Sequence, residues 1–197
     1  MDKRVQAHLD AIKYFCDPKQ KTPAHITVRG PYADAIDVRQ FSSIIEGARA
    51  SIVGPGIFFR EKQNTVFLAT GLHGLRSIWH KPDFNFKPHI TLYDGPSREF
   101  ASSLRDVLRK HRLFFTCQVT GLLEMRTVSG QYSFDMKMNV DIELLKPFVS
   151  RSVILRADEF NEKDRLEFVN SLLFSLLRYV RQENDNSNIA RGNLAAN

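Results

Sequence analysis

The tripeptide His-Ile-Thr occurs twice in this chain, each time after a proline and before a Gly-Pro pair, within residues 23–31 and 88–96. Because His and Thr are two positions apart, a β-strand would project both side chains from one face. The Ile between them and the aliphatic residue after them would point the other way. Each copy is therefore predicted to be a strand with an imidazole and a hydroxyl on one face and core residues on the other.

The segment after the first copy shows helical and then strand-like spacing of apolar residues. Gly30-Pro31 would end the motif strand, and glycine and proline mark the next turn. The pattern predicts a helix over residues 38–50, a turn over 54–56, a hairpin of strands over 57–59 and 65–69, and a short helix over 72–79.

The segment after the second copy follows the same order. Ser97 is predicted to cap a helix whose apolar stripe runs from Phe100 to His111 and whose other face is basic. Strands are then expected over residues 113–119, 122–128 and 131–139. This agreement predicts an internal repeat of two lobes, at about residues 22–70 and 87–139.

Two helices are predicted outside the repeat. Apolar residues at helical spacing indicate an N-terminal helix over residues 3–15, which ends before Asp17-Pro18. A cap at Asn161 and a leucine-rich stripe indicate a C-terminal helix over about residues 161–181. We expect one α+β domain over residues 1–182, and the polar residues 183–197 are predicted to be a flexible tail.

Charge and cysteine content bear on partners and on cellular location. The chain has 197 residues and a formal net charge of +6, which favours polyanionic partners such as RNA or nucleotides. Its two cysteines have no Cys-x-x-Cys spacing, so reduced thiols in the cytoplasm are expected. No signal peptide or membrane-spanning run is visible in the sequence, and we expect a cytoplasmic monomer that does not bind membranes.

The two motifs together suit phosphodiester chemistry. If their strands meet in a groove, the four polar side chains of His25, Thr27, His89 and Thr91 converge. One neutral imidazole can then act as general base and the other, protonated, as general acid, while the threonine hydroxyls donate to the phosphate oxygens. Either histidine could take either role. His73, His80 and His111 lack the motif, and without metal-binding or Walker patterns we expect no metal and no cofactor.

These residues resemble a known family. His25-Ile-Thr27-Val28 and His89-Ile-Thr91-Leu92 are similar to the two His-x-Thr/Ser-x signatures of the two-histidine (2H) phosphoesterase superfamily, which includes 2′-5′ RNA ligase-like proteins and cyclic nucleotide phosphodiesterases. The resemblance covers about residues 22–139. It implies a bilobal α+β fold with pseudo-twofold symmetry, antiparallel sheets and a catalytic groove between the lobes. It also implies a metal-independent phosphodiesterase acting on 2′,3′-cyclic phosphates, 2′-5′ linkages or small cyclic nucleotides.

Strand alternation suggests residues that would bind the substrate. Residues 87, 89, 91 and 93 would share one face, and so would residues 25, 27 and 29. Arg29 or Lys87 could then neutralise phosphate, and Tyr93 or Tyr32 could stack on a base. The alternative is that these four are solvated residues at strand ends. Phenylalanines at 58, 59, 114 and 115 are expected in the core rather than in a stacking surface.

Two other functions remain open at this point. The groove could belong to a non-catalytic RNA- or nucleotide-binding module, which the basic composition fits equally well. The chain could also be an interaction protein that docks a protein partner through the helix over residues 160–181. Binding without turnover would favour the binding module.

Overall fold

The computed structural model describes residues 1–19, 22–28, 37–79, 87–122, 150, 156 and 159–194 and shows an α+β fold. The strands within these residues form a four-stranded antiparallel sheet in the order β3-β2-β1-β4. In chain order the elements are α1 (Lys3–Cys16), α2 (Ser42–Ile45), β1 (Arg49–Phe59), β2 (Asn64–His73), β3 (His89–Gly95), α3 (Arg98–Lys110), β4 (Phe115–Gln118) and α4 (Glu162–Leu194).

The two faces of the sheet differ in burial. In β2 the side chains of Val66, Leu68 and Leu72 are buried, whereas Phe67, Ala69 and Gly71 between them are partly exposed. The buried residues belong to one core with apolar residues of α1, α3 and α4. Phe67, Ala69 and Gly71 point to the other face by strand alternation, and we call that partly exposed face the open face.

Side-chain hydrogen bonds cap the N-termini of α1 and α3. The side chain of Asp2 accepts hydrogen bonds from the backbone nitrogens of Arg4 and Val5 at the start of α1. The Ser97 hydroxyl accepts from the backbone nitrogen of Phe100 at the start of α3. The predictions of these two helices, and of Ser97 as a cap, are confirmed.

The helix predicted over residues 38–50 is wrong. Only a 3₁₀ turn at Val38–Phe41 and the short α2 form, and β1 already begins at Arg49. Gly47 has a φ of +76°, a left-handed conformation that ends a helix. The apolar residues before and after Gly47 therefore do not belong to one helix, although their spacing is helical.

The turn predicted over residues 54–56 is also wrong, because β1 continues through this segment. Its pairing with β2 shifts register between Ile52 and Pro55, which is a β-bulge, and Gly54 there has a φ of +112°. The hairpin of β1 and β2 is confirmed. Of the short helix predicted over residues 72–79, only a 3₁₀ turn at Arg76–Ile78 forms, because β2 extends to His73.

The C-terminal helix packs on α1 and is longer than predicted. The Asn161 side chain accepts from the backbone nitrogen of Asp164, as expected of a cap. The predicted end near residue 181 is wrong, since α4 continues to Leu194 and includes most of the predicted tail. No proline interrupts this stretch. None of the helices within the described residues combines the length and apolar character needed to cross a membrane.

The structure tests the second lobe only in part. Strand β3 contains the second motif, and β4 matches the strand predicted over residues 113–119. The hairpin predicted from residues 122–128 and 131–139 lies outside the described residues, apart from residue 122.

Candidate active site

The two His-Ile-Thr motifs lie side by side. Ile26 forms an isolated antiparallel bridge with Ile90, which is the central residue of the motif in β3. In this register His25 lies opposite Thr91 and Thr27 lies opposite His89. All four motif residues alternate with the bridged isoleucines, so strand alternation assigns their side chains to one side of the pair. The first motif is not the full strand predicted, because only Ile26 is bridged.

The two imidazoles make the same kind of hydrogen bond. Nδ1 of His25 donates to the carbonyl oxygen of Pro23 at 2.8 Å, and Nδ1 of His89 donates to that of Lys87 at 3.0 Å. A carbonyl oxygen only accepts, so in the neutral imidazole the proton lies on Nδ1 and Nε2 carries the lone pair. Both rings are therefore held in the tautomer in which Nε2 exchanges protons.

The motif side chains are accessible. His25, His89 and Thr91 are partly exposed, and Thr27 is exposed. A ligand can thus reach them without unfolding either motif.

An aromatic surface adjoins His89 on the open face. The ring centroid of Phe67, whose backbone pairs with Thr91, lies 5.0 Å from that of His89 and 4.8 Å from that of Phe58. The Phe67 ring lies over Gly56, where any Cβ would overlap it. Phe58 is 50% exposed. This surface, formed by Phe58 and Phe67, is the aromatic platform.

The prediction that all four phenylalanines in the two Phe-Phe pairs are buried is wrong for three of them. Phe115 is buried, but Phe114, Phe58 and Phe59 are exposed. Neighbouring residues of a strand point to opposite faces, so at most one residue of such a pair can enter the core. Phe114 precedes β4, and Phe59 is the last residue of β1, where the strand leaves the core. The guanidinium of Arg98 covers the Phe59 ring, 4.4 Å from its centroid.

Of the four predicted substrate-binding residues, Tyr93 is contradicted. The pairing of β2 with β3 shifts at Leu92, so Tyr93 turns into the core beside Leu92 and is only 6% exposed. Its hydroxyl accepts from the backbone nitrogen of Ser97 at 3.0 Å, and burial raises its pKa. Lys87 is exposed next to the motif, whereas Arg29 and Tyr32 lie outside the described residues.

Helix α1 contacts the segment just before His25. Gln6, Asp10 and Lys13, which lie on one side of the helix, are hydrogen bonded to residues 22–24. Burial raises the pKa of Asp10 and lowers that of Lys13. We did not predict this contact. The signal in the sequence is three polar residues at positions i, i+4 and i+7, which lie on one side of the helix.

The other described histidines have structural contacts. Nδ1 of His8 donates to the Arg4 carbonyl at 2.7 Å, and its Nε2 lies 2.8 Å from the Ser175 hydroxyl. Nε2 of His111 lies 2.8 Å from Oδ1 of Asn170, and Nε2 of His73 lies 3.0 Å from the Ser51 hydroxyl. His80 lies outside the described residues.

The described part of the chain contains two free cysteines and no cluster of metal ligands. Within it, no three His, Cys, Asp or Glu side chains come together as metal ligands would. Cys16 and Cys117 are buried free thiols, and burial raises the pKa of both.

Comparison of the chain with protein-family models, with curated proteins and with solved structures gives no match.

Proposed function

We propose that this chain is a metal-independent phosphodiesterase of the two-histidine type. The observation that carries the proposal is the bridge between Ile26 and Ile90, which sets the two His-x-Thr motifs next to each other. Strand alternation then supports a placement of their four polar side chains on one side. A phosphodiester needs one group to deprotonate the nucleophile and another to protonate the leaving oxygen. Two adjacent imidazoles meet that requirement near neutral pH.

In the proposed reaction, Nε2 of one histidine takes the proton from an attacking water or hydroxyl. Nε2 of the other gives a proton to the departing oxygen. The matching Nδ1 hydrogen bonds hold the rings in orientation through both steps. The hydroxyls of Thr27 and Thr91 donate to the non-bridging phosphate oxygens, where negative charge increases in the transition state.

The proposed substrate is a cyclic phosphate, a 2′-5′-linked RNA end or a small cyclic nucleotide. The aromatic platform beside His89 supports this class, because a nucleobase can stack on exposed rings. The exposed Lys87 and the net charge of +6 favour a phosphate-bearing ligand. The proposal extends to a bilobal fold with a groove between the lobes and to a monomer in the cytoplasm. The two free thiols support the cytoplasmic location.

The test is hydrolysis of 2′,3′-cyclic nucleotides, cyclic dinucleotides and 2′-5′ oligonucleotides in EDTA. We expect wild-type turnover, and a loss of roughly 10²–10⁴-fold in kcat for both His25→Ala and His89→Ala. The matched control is His73→Ala, which removes an exposed histidine outside the motifs and should leave kcat unchanged.

Three results would contradict the proposal. They are activity abolished by EDTA, motif variants as fast as wild type, and binding of these nucleotides without turnover. The last result would instead support a non-catalytic nucleotide-binding module.

A further inference from the structure

Three polar residues of α1, Gln6, Asp10 and Lys13, are hydrogen bonded to residues 22–24, and we call them the α1 clamp. We propose that the α1 clamp positions His25 for catalysis. The inference rests on the proposed function, since it assigns the clamp a role in that reaction. It makes these three residues positioning residues, which act through His25 and do not touch the substrate.

Gln6 and Asp10 hold both backbone groups of Ala24, the residue before His25. The backbone nitrogen of Ala24 donates to Oδ1 of Asp10 at 2.6 Å, and the Ala24 carbonyl accepts from Nε2 of Gln6 at 2.8 Å. The same Gln6 nitrogen donates to Oδ1 of Asp10 at 2.8 Å. These two side chains thus replace the backbone partners that a neighbouring strand would supply.

Lys13 holds the carbonyl group that orients the His25 ring. Its Nζ donates to the Thr22 hydroxyl at 2.6 Å and to the Pro23 carbonyl at 3.4 Å. The same Pro23 carbonyl accepts from Nδ1 of His25 at 2.8 Å. The acceptor that fixes the imidazole is therefore itself fixed by a buried ammonium group.

Core packing alone does not account for these residues. Asp10 and Lys13 are only 7% and 3% exposed, and burying charged groups opposes folding unless they are hydrogen bonded. Their hydrogen bonds outside α1 go to residues 22–24. An apolar residue at either position would fill the core, so the polar groups are explained by what they hold.

The second motif needs no such clamp. His89 lies within β3 and pairs with Ala69, and the Pro88 carbonyl before it accepts from the backbone nitrogen of Thr70 at 3.0 Å. The clamp is found at the motif that has a single bridge and is absent, among the described residues, from the motif that the sheet already holds.

The experiment compares Lys13→Met and Asp10→Leu with the conservative variants Lys13→Arg and Asp10→Asn. We expect the first two to lower kcat about tenfold to a hundredfold with KM nearly unchanged, because small displacements of a catalytic group have effects of this size. The conservative variants should recover most of the loss. The matched control is His8→Gln, another buried polar residue of α1, whose side-chain hydrogen bonds go to Arg4 and Ser175. It should leave kcat unchanged at equal or greater loss of stability.

A second readout does not depend on activity. Imidazole ¹⁵N NMR should show the Nδ1–H tautomer at both His25 and His89 in wild type. In folded Lys13→Met or Asp10→Leu, only the His25 signals should shift towards a mixture of tautomers. If the wild type lacks turnover, the proposed function fails, and this NMR comparison still decides whether the clamp orients His25.

Unchanged His25 signals in the folded clamp variants would overturn the inference, as would a loss of kcat no larger than that of His8→Gln. If a clamp variant does not fold, Gln6→Ala removes the contacts of Gln6 with Ala24 and Asp10 and leaves both charged residues in place. It should shift the His25 signals in the same direction, and unchanged signals would again overturn the inference.

Discussion

The two His-Ile-Thr copies have the same sequence but are held in place by different means. The second lies in β3, where it pairs with β2 along its length and with Ile26 on the other side. The first has one bridged residue and depends on side chains of α1. The short motif therefore supplies the chemical groups, while the surrounding chain determines how rigidly they are presented.

This difference predicts different sensitivities to mutation. Backbone pairing in a sheet survives most side-chain replacements, because the hydrogen bonds belong to the main chain. The first copy relies on three side chains, so replacing any one of them removes a support directly. The two copies should thus contribute equally to the chemistry but differ in how strongly mutations of the surrounding residues affect them.

The largest expected effect concerns the threonines. If the copies are chemically alike, Thr27→Val and Thr91→Val should each lower kcat by roughly 10²–10³-fold, since each removes one donor to the transition state. The measurement is steady-state kinetics on the best cyclic nucleotide substrate. The matched control is Thr116→Val, whose hydroxyl contacts Ser51 away from the motifs. A full loss at one threonine and none at the other would show that only one copy binds the phosphate.

A smaller effect is expected at the aromatic platform, which adjoins only the second copy. Phe58→Ala should weaken binding of a nucleotide substrate by roughly 5- to 160-fold, because stacking of one base contributes about 1–3 kcal/mol. The effect should appear in KM and should vanish with a ribose cyclic phosphate that has no base. Phe174→Ala is the matched control, since Phe174 is 64% exposed on α4. Equal losses with and without the base would contradict stacking.

Sequence patterns predicted the parts of the fold that follow from regular spacing. The helices α1 and α3, the β1–β2 hairpin and strand β3 are confirmed, because apolar spacing is regular over most of their length. The errors come from single residues that change the backbone. Gly47 ends a helix, Gly54 forms a bulge in place of a turn, and the extra residue Leu92 turns Tyr93 into the core.

The candidate site could be predicted only in its central residues. Doubling of the motif and strand alternation led to His25, Thr27, His89 and Thr91, and the bridge at Ile26 brings them together. The aromatic platform and the α1 clamp depend on which distant segments lie against the motif. A polar residue in an apolar helix shows that a partner exists, but the partner at residues 22–24 is visible only in the structure.

The smallest expected effect is on the stability of the scaffold that supports the first copy. Burial lowers the pKa of His8, which joins α1 to α4 through Ser175. The unfolded chain therefore takes up a proton first as pH falls through about 6.5. The contribution of neutral His8 is fully present above that pH and is lost below it, by at most about 1.4 kcal/mol per pH unit.

Hydrogen exchange at single amides can detect this loss of stability in the segment before His25. Between pH 7 and 5, after correction for intrinsic exchange rates, protection of the Ala24 amide should fall more than that of the Leu68 amide in the sheet. Asp10 has a raised pKa and contributes the opposite trend, so wild type is compared with His8→Gln, which retains Asp10. The variant should lose less protection at Ala24 as the pH falls. An identical pH dependence in both proteins would show that protonation of His8 does not change the stability of the segment before the first copy.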